Sequence, residues 1–362
     1  MQREIHGGNV YGREVRLDFS VNINPLGMPQ GVRQAITEYT AWDETYPDIE
    51  CTDLRRAIAQ KEGIAPEQIL CGNGASELLM AVVRAAAPEK CAIAAPSFSG
   101  YERAVRAAGA EPVFYELSHD TGFGYETVCD RLSKMTVQMF FLCNPNNPTG
   151  VVYPREILEG IVKIAREFDL ILYADEIYDR LVMDGIEHVA LASLAPDLLT
   201  VSFNGLSKSH LMAGYRVGWM CLAGDKRRYK GYIEGINLLS AMRLCSNAPG
   251  QSLIAPALAQ RESTKEMLVP GGRVYEQREC IYRMLNDIPG ISAVRPQAAF
   301  YIFPKIDVKR FNIHDDELFA LDLLKQEKIL ITHGRGFHWI NPDHFRIVYL
   351  PQVDVLTAAC EK

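Results

Sequence analysis

The chain is short of features that would place it in several large functional classes. Its nine cysteines form no C-x-x-C pair and its eight histidines show no metal-ligand spacing, so neither a disulfide framework nor a metal centre is expected. Free, mostly buried thiols in a reducing compartment are expected instead. Basic residues form no run, and 38 Lys and Arg against 45 Asp and Glu leave a formal charge of −7, which argues against a nucleic-acid surface. No stretch approaches roughly 18 uninterrupted apolar residues, and the start, MQREIHGGNV, has no apolar signal core. The expectation is a cytoplasmic protein with neither membrane nor nucleic-acid partners, acting on small molecules. A dinucleotide site is also excluded, because no G-x-G-x-x-G opens an early strand-to-helix turn with an acidic residue downstream. Repeats and low-complexity segments are absent.

What is present is a long alternation of amphipathic and apolar segments in a chain of 362 residues, 48% of them hydrophobic. That length suits two domains or one large one with an appendage. Helical patterns at 75–87, 99–109, 125–133 and 155–167 alternate with apolar runs at 90–95, 112–116, 138–143, 170–174 and 199–203, and another strand is expected at 217–222. Such alternation predicts an α/β fold, a mostly parallel sheet between helices. Long helical patterns follow through 224–245, 250–260 and 273–286. The end of the chain changes character: strands at 291–294, 299–303, 329–332 and 345–349 around a helix at 316–326 read as a small α+β lobe.

In open α/β sheets the chemistry gathers at the carboxyl ends of strands. Three such places stand out. TVSFNGLSKSHLMAGYRVGW runs from an apolar strand into Ser207-Lys208, with Arg216 eight residues later. A lysine shielded from water there could lose its proton and act as a Schiff-base nucleophile beside a phosphate. Alone, an S-K dipeptide reads better as a solvated loop. LILYADEIYD delivers Asp175 and Tyr178, a carboxylate suited to a pyridine nitrogen and a phenol suited to a ring oxygen. An acid after a strand is equally a helix cap or a cation ligand. MFFLCNPNNPTG places Asn147 in a turn-rich segment whose other residues need no role beyond the turn. CGNGASELLMAVV sets Ala75 and Ser76 at the start of an amphipathic helix, where free amides and the dipole favour a phosphate, although a glycine N-cap explains the pattern too. APSFSGY offers Phe98, which could stack on a flat ring or pack in a core.

Taken in order, N-P-T-G, D-x-x-Y and S-K with its distal arginine resemble the fold-type I pyridoxal-phosphate (PLP) enzymes of the aspartate-aminotransferase superfamily, over essentially the whole chain. The resemblance implies a large PLP-binding domain at 43–265 with a seven-stranded sheet. It also implies a small domain at 266–362 joined by an N-terminal segment at 1–42. It makes Lys208 the cofactor lysine and proton carrier, pairs Asp175 with the pyridine nitrogen, sets Tyr178 and Asn147 on the ring oxygen and stacks Phe98 on the ring. Arg216, Ser207 and the amides of Ala75 and Ser76 would hold the phosphate. HFRIVYL resembles the family's F-R-I/L segment, which makes Arg346 the fork for the substrate α-carboxylate. Gly27 in NINPLG would lie over that carboxylate, and Tyr46 in ETYPD would reach the neighbouring subunit's cofactor phosphate, which implies a homodimer with shared sites.

Residues up to about 143, with HGGN and DFSVNINPLG, resemble threonine-phosphate decarboxylase and histidinol-phosphate aminotransferase. From Asn144 onward, ADEIYDRL, MRLCSN, PGGRVYEQR and FNIHDD resemble the bacterial glutamate–pyruvate aminotransferase. The expected function is transfer of an amino group between an L-amino acid and a 2-oxo acid. A threonine-phosphate decarboxylase is the alternative, and a carbon–sulfur lyase or a non-catalytic PLP-binding regulator stands further off. Gly205 and Ala298 depart from residues common in the family, and the terminal helix looks short. His6, His333 and Arg335 read equally as substrate ligands or as solvated residues.

Overall fold

A computed structural model describes residues 10, 12–22, 30–38, 45–124, 128–132, 134–259 and 261–362. Strand β1 (Leu17–Asp18) comes first. Then follow β2 (Ile69–Gly72), β3 (Lys90–Ala95), β4 (Glu111–Glu116), β5 (Met139–Cys143), β6 (Ile171–Asp175), β7 (Thr200–Gly205) and β8 (Gly218–Ala223). Strands β2 to β8 form one seven-stranded sheet in the order β2-β8-β7-β6-β5-β3-β4. Strand β8 runs antiparallel to both its neighbours, and every other pairing in the sheet is parallel. Patterning overlooks β2, because ILCG is only four residues long and follows directly on a 3-10 turn at Pro66–Gln68.

The pleat sends successive side chains to opposite faces, and both faces are covered. Ala92, Ala94, Phe140, Leu142 and Leu172 pack against Leu158, Ile161 and Val162 of the helix Arg155–Glu167. Their neighbours Cys91, Ile93, Met139, Phe141 and Tyr173 pack on the other side, against Leu78 and Val82 of the helix Ala75–Ala86 and Val105 of the helix Gly100–Ala107. Continuous burial on two faces is why these strands read as plain apolar runs.

The second lobe begins with the helix Arg273–Asp287 and contains β9 (Ile291–Ser292), β10 (Tyr301–Ile302), β11 (Lys305–Ile306), β12 (Ile329–Leu330), β13 (Thr332–His333) and β14 (Phe345–Val348). Strand β14 lies between β10 and β13, antiparallel to both. Near the chain start, β1 pairs in parallel with β12, and Phe19 joins the core made by Phe300, Tyr301 and Ile347. The helix Gln30–Glu38 turns the other way: Val32 packs with Leu54, Ile58 and Trp219 under the large sheet. After β6 the chain crosses between lobes, burying Ile177, Tyr178, Leu181 and Met183 in the second core. There the fully buried Arg278 forks onto Asp184 at 2.6 and 2.8 Å. The terminal helix, Val353–Cys360, has eight residues. No described helix is long and apolar enough to cross a membrane, and no described cluster of His, Cys, Asp or Glu could hold a metal ion.

Candidate active site

Asp175 is the last residue of β6, in register with Cys143 of β5 and Phe203 of β7. Two positions beyond Phe203, β7 ends at Gly205 and turns into the short helix Leu206–Ser209, which carries Ser207 and Lys208. The sheet thus delivers an acid and an amine to neighbouring points on its carboxyl edge. A Cβ at position 205 would stand 2.6 Å from the Val217 carbonyl oxygen, so a larger residue has no room on this backbone. Burial pushes the Lys208 ammonium down to about 8; Arg346 and Arg216 push the same way, while Asp175 opposes them. Burial raises the Asp175 carboxyl, and the Tyr101 hydroxyl, which donates to its Oδ2 at 2.6 Å, favours the ionised form. Tyr178 is buried, with its hydroxyl 2.9 Å from that of Tyr301.

A cradle for an anion lies beside this pair. Gly74, with φ of 88°, caps the helix Ala75–Ala86 without any side-chain bond, and the amides of Ala75 and Ser76 have no intrahelical acceptor. A Cβ at Gly74 would stand 2.2 Å from Nη2 of Arg216, and one at Gly218 would stand 2.2 Å from the amide nitrogen of Ala75. Glycine alone lets the arginine, the helix start and β8 converge. Asn247 fixes the loop from outside, its Nδ2 and backbone amide both donating to Asn73 Oδ1 at 2.9 Å. Ser207 is half-buried beside Lys208. Phe98 is half-buried as well and meets the Tyr101 ring edge-on, centroids 5.5 Å apart.

The opposite wall comes from the second lobe. Arg346 on β14 is buried; its Nη1 donates to Asn147 Oδ1 at 3.1 Å and its Nη2 to the Ser20 carbonyl at 2.6 Å. Its guanidinium lies 4.6 Å from the Tyr301 ring centroid and 4.7 Å from that of Phe337. The Nε–H is buried without a hydrogen-bond partner. An arginine packed against two aromatic rings with a donor to spare is prepared for a carboxylate.

The structure therefore gathers Asn147, Asp175, Tyr178, Lys208 and Arg346 in one region and sets Ala75 and Arg216 together beside it. Gly27 and His6 lie outside the described residues. Tyr46 is not drawn into the site; it is 82% exposed. Arg335 is held by ion pairs to Asp315, at 2.5 Å, and to Asp316 at the start of the helix Asp316–Glu327, while His333 is buried 3.8 Å from Asp316 with its Nδ1 making no hydrogen bond. Ala298 is fully buried and forms a bridge with Val182. Tyr101, Tyr301, Phe337 and Ser20 were not among the residues picked from the sequence. No local pattern marks them, since each matters through a partner far along the chain.

Comparison with known proteins agrees with this geometry. The family model for aminotransferase class I and II matches residues 14–362. The glutamate–pyruvate aminotransferase AlaA of Escherichia coli is 46% identical over 318 residues, covering 85% of this chain and 78% of that protein. An alanine aminotransferase of Mycobacterium tuberculosis is 40% identical over 355 residues, 94% of this chain and 82% of that one. Among solved structures, an aminotransferase from Escherichia coli superposes with a TM-score of 0.91 at 42% identity, covering 97% of this chain and 90% of that chain. The alanine aminotransferase from Pyrococcus furiosus gives 0.82 at 32% identity, covering 93% and 87%. The AlaA match is longer than the stretch from Asn144 to the end, so that likeness extends into the first part of the chain. None of these relatives is a decarboxylase. The glycine-walled cradle, the lysine of lowered basicity and the buried carboxylate together fit PLP. The chain belongs to the class I and II aminotransferases and is a PLP-dependent enzyme.

Proposed function

We propose that the amino group moves between glutamate and pyruvate or close analogues, with Lys208 as the group that takes and returns the substrate Cα proton. The substrate pair is supported by the names of the relatives, and the role of Lys208 by its burial and its electrostatic interaction with both Asp175 and Arg346. Bound PLP supplies an aldehyde carbon that condenses with amines and a ring that withdraws electrons from Cα. Lys208 suits its part because burial brings it down to about 8, close enough to neutral pH for a fraction of it to stand as free amine, able to remove a proton and to give it back. Asp175 would face the ring nitrogen, oriented by the Tyr101 hydroxyl. Tyr178 and Asn147 would bind the ring oxygen, and Phe98 would cover the ring.

Arg216, Ser207 and the amides of Ala75 and Ser76 would hold the phosphate at the helix start. Arg346 would fork onto the α-carboxylate, using the Nε–H that now has no partner, with the Gly27 backbone above it. Tyr46, exposed in the single chain, would reach the phosphate of a second copy, so the working unit would be a homodimer with shared sites. Residues 43–265 would form the cofactor domain and 266–362 the small domain, with β1 of the segment 1–42 joining the latter while its helix Gln30–Glu38 packs under the large sheet. A cytoplasmic location suits the free thiols.

The observation that carries this reading is the convergence of Lys208, Asp175 and Arg346 from three elements on one point. Lys208→Ala is expected to lower kcat on the order of 10³–10⁴-fold. It should also abolish the borohydride-fixed cofactor adduct seen by mass spectrometry. An adduct still fixed to the variant would defeat the assignment. A panel of amino acids, including glutamate, alanine, histidinol phosphate and threonine phosphate, followed by absorbance and CO₂ release, would identify the donor.

A further inference from the structure

Tyr301 occupies a position that the cofactor and substrate ligands leave unexplained. It is buried on β10, opposite Val348 of the strand that bears Arg346. Its ring lies under the Arg346 guanidinium, 4.6 Å from centroid to Cζ, and meets the Tyr178 ring edge-on at 5.6 Å and 84°. The two hydroxyls are 2.9 Å apart. The packing around it is fixed: the Tyr349 hydroxyl donates to the Ala299 carbonyl at 3.0 Å, and the Ala299 amide donates to the Leu181 carbonyl at 2.9 Å.

We propose that Tyr301 is a positioning residue that links recognition of the substrate carboxylate at Arg346 to the hydrogen bond that Tyr178 makes to the cofactor ring oxygen. The proposal rests on the roles given above to Tyr178 and Arg346. The contacts set its direction. A cation over a phenol ring stabilises negative charge on its oxygen, and Arg346 sits over Tyr301. Tyr301 is thereby the better acid of the pair and the better donor, so its O–H points at Tyr178 Oη. Tyr178 then keeps its own O–H for the ring oxygen. That donation stabilises negative charge on the oxygen and so lowers the affinity of the nearby Lys208 nitrogen for a proton.

A carboxylate arriving on Arg346 neutralises the cation, weakens Tyr301 as a donor and relaxes the hold of Tyr178. The Lys208 nitrogen then binds its proton more firmly. Asn147, bonded to Nη1 of the same arginine, offers a parallel route to the ring oxygen. Substrate binding would be felt at the reacting nitrogen through two independent hydrogen-bond paths.

The test is a pH titration of the visible absorbance of the purified holoenzyme. Tyr301→Phe keeps the ring under Arg346 and removes only the hydroxyl, so folding is not at stake. Its midpoint should rise by about 0.5–1 pH unit, the size of one net hydrogen bond. Tyr178→Phe should raise the midpoint as well, and adding Tyr301→Phe to it should produce no further shift, since the path then has no middle. An unmoved midpoint in Tyr301→Phe, or an undiminished shift on the Tyr178→Phe background, would overturn the relay while leaving the cofactor assignment intact. A wild-type protein with no titrating band would overturn both.

Discussion

Lys208 and Asp175 leave adjacent strands of one sheet, whereas Arg346 reaches the same space from a second lobe, clasped by Asn147 from the first and by Ser20 near the chain start. The floor of the site is thus built from neighbours in a single hydrogen-bonded ladder. The wall depends on how two lobes meet. A ladder holds its strand ends in place for as long as the sheet exists. A lobe junction holds only as well as its own contacts, which are partly polar, and the wall should therefore be the part that yields first.

The junction can be broken most directly at Arg278, which is fully buried and satisfied by Asp184, the Pro296 carbonyl and Glu279. Arg278→Ala removes a buried fork from Asp184, which is itself exposed and keeps Arg295 at 3.5 Å, and should cost about 1.5–3 kcal/mol in urea unfolding. If only a small loss were measured, the junction would not be what holds the wall. Within the wall, Arg346→Lys keeps the charge but loses the planar fork between Tyr301 and Phe337. It should reduce kcat/KM about 100-fold, or ~2.7 kcal/mol. Its cofactor should stay bound in equilibrium dialysis, separating wall from floor.

The floor can be sharpened at Glu176, buried beside Asp175 with its Oε1 accepting from the Leu191 amide at 2.8 Å. Burial pushes its carboxyl up to about 8, with the Asp179 charge adding to the effect. A folded-state pKa above the unfolded one means that the contribution to stability is fully present below about 4.5 and is lost as pH rises through about 8. Glu176→Gln should thus unfold later than the wild type at pH 8.5, by about 1–3 kcal/mol, with the gap closing toward pH 4.5. A gap independent of pH would mean that the glutamate is ionised in the fold. The smallest effect is expected at the cradle. Gly74→Ala puts a Cβ against Arg216 at a φ of 88° and should weaken PLP about tenfold in equilibrium dialysis.

The same contrast separates what could be read from the sequence from what could not. Lys208, Asp175 and Tyr178 could be placed because they follow apolar runs that have to be buried strands, and residues after such runs emerge at the carboxyl edge, whereas Arg216, which precedes β8, was marked by its spacing from Lys208. The parallel sheet was legible for the same reason, save for β2, too short to show a pattern. Arg346 needed the family resemblance, because an arginine on a strand says nothing by itself about what lies opposite. Tyr101, Tyr301 and Ser20 were invisible. Their partners stand 74, 123 and 326 positions away in the chain, so no window of sequence contains both members of any pair.

By itself, then, the order of apolar runs determined the sheet and which polar residues stand at its carboxyl edge, since periodic burial forces both, and the motifs at those ends carried the resemblance to a PLP-binding family. The tertiary structure alone decided how those groups are tuned. The acidity of Lys208, the orientation of Asp175 and the readiness of Arg346 come from desolvation and from hydrogen bonds between distant segments, quantities that exist only once the lobes have packed.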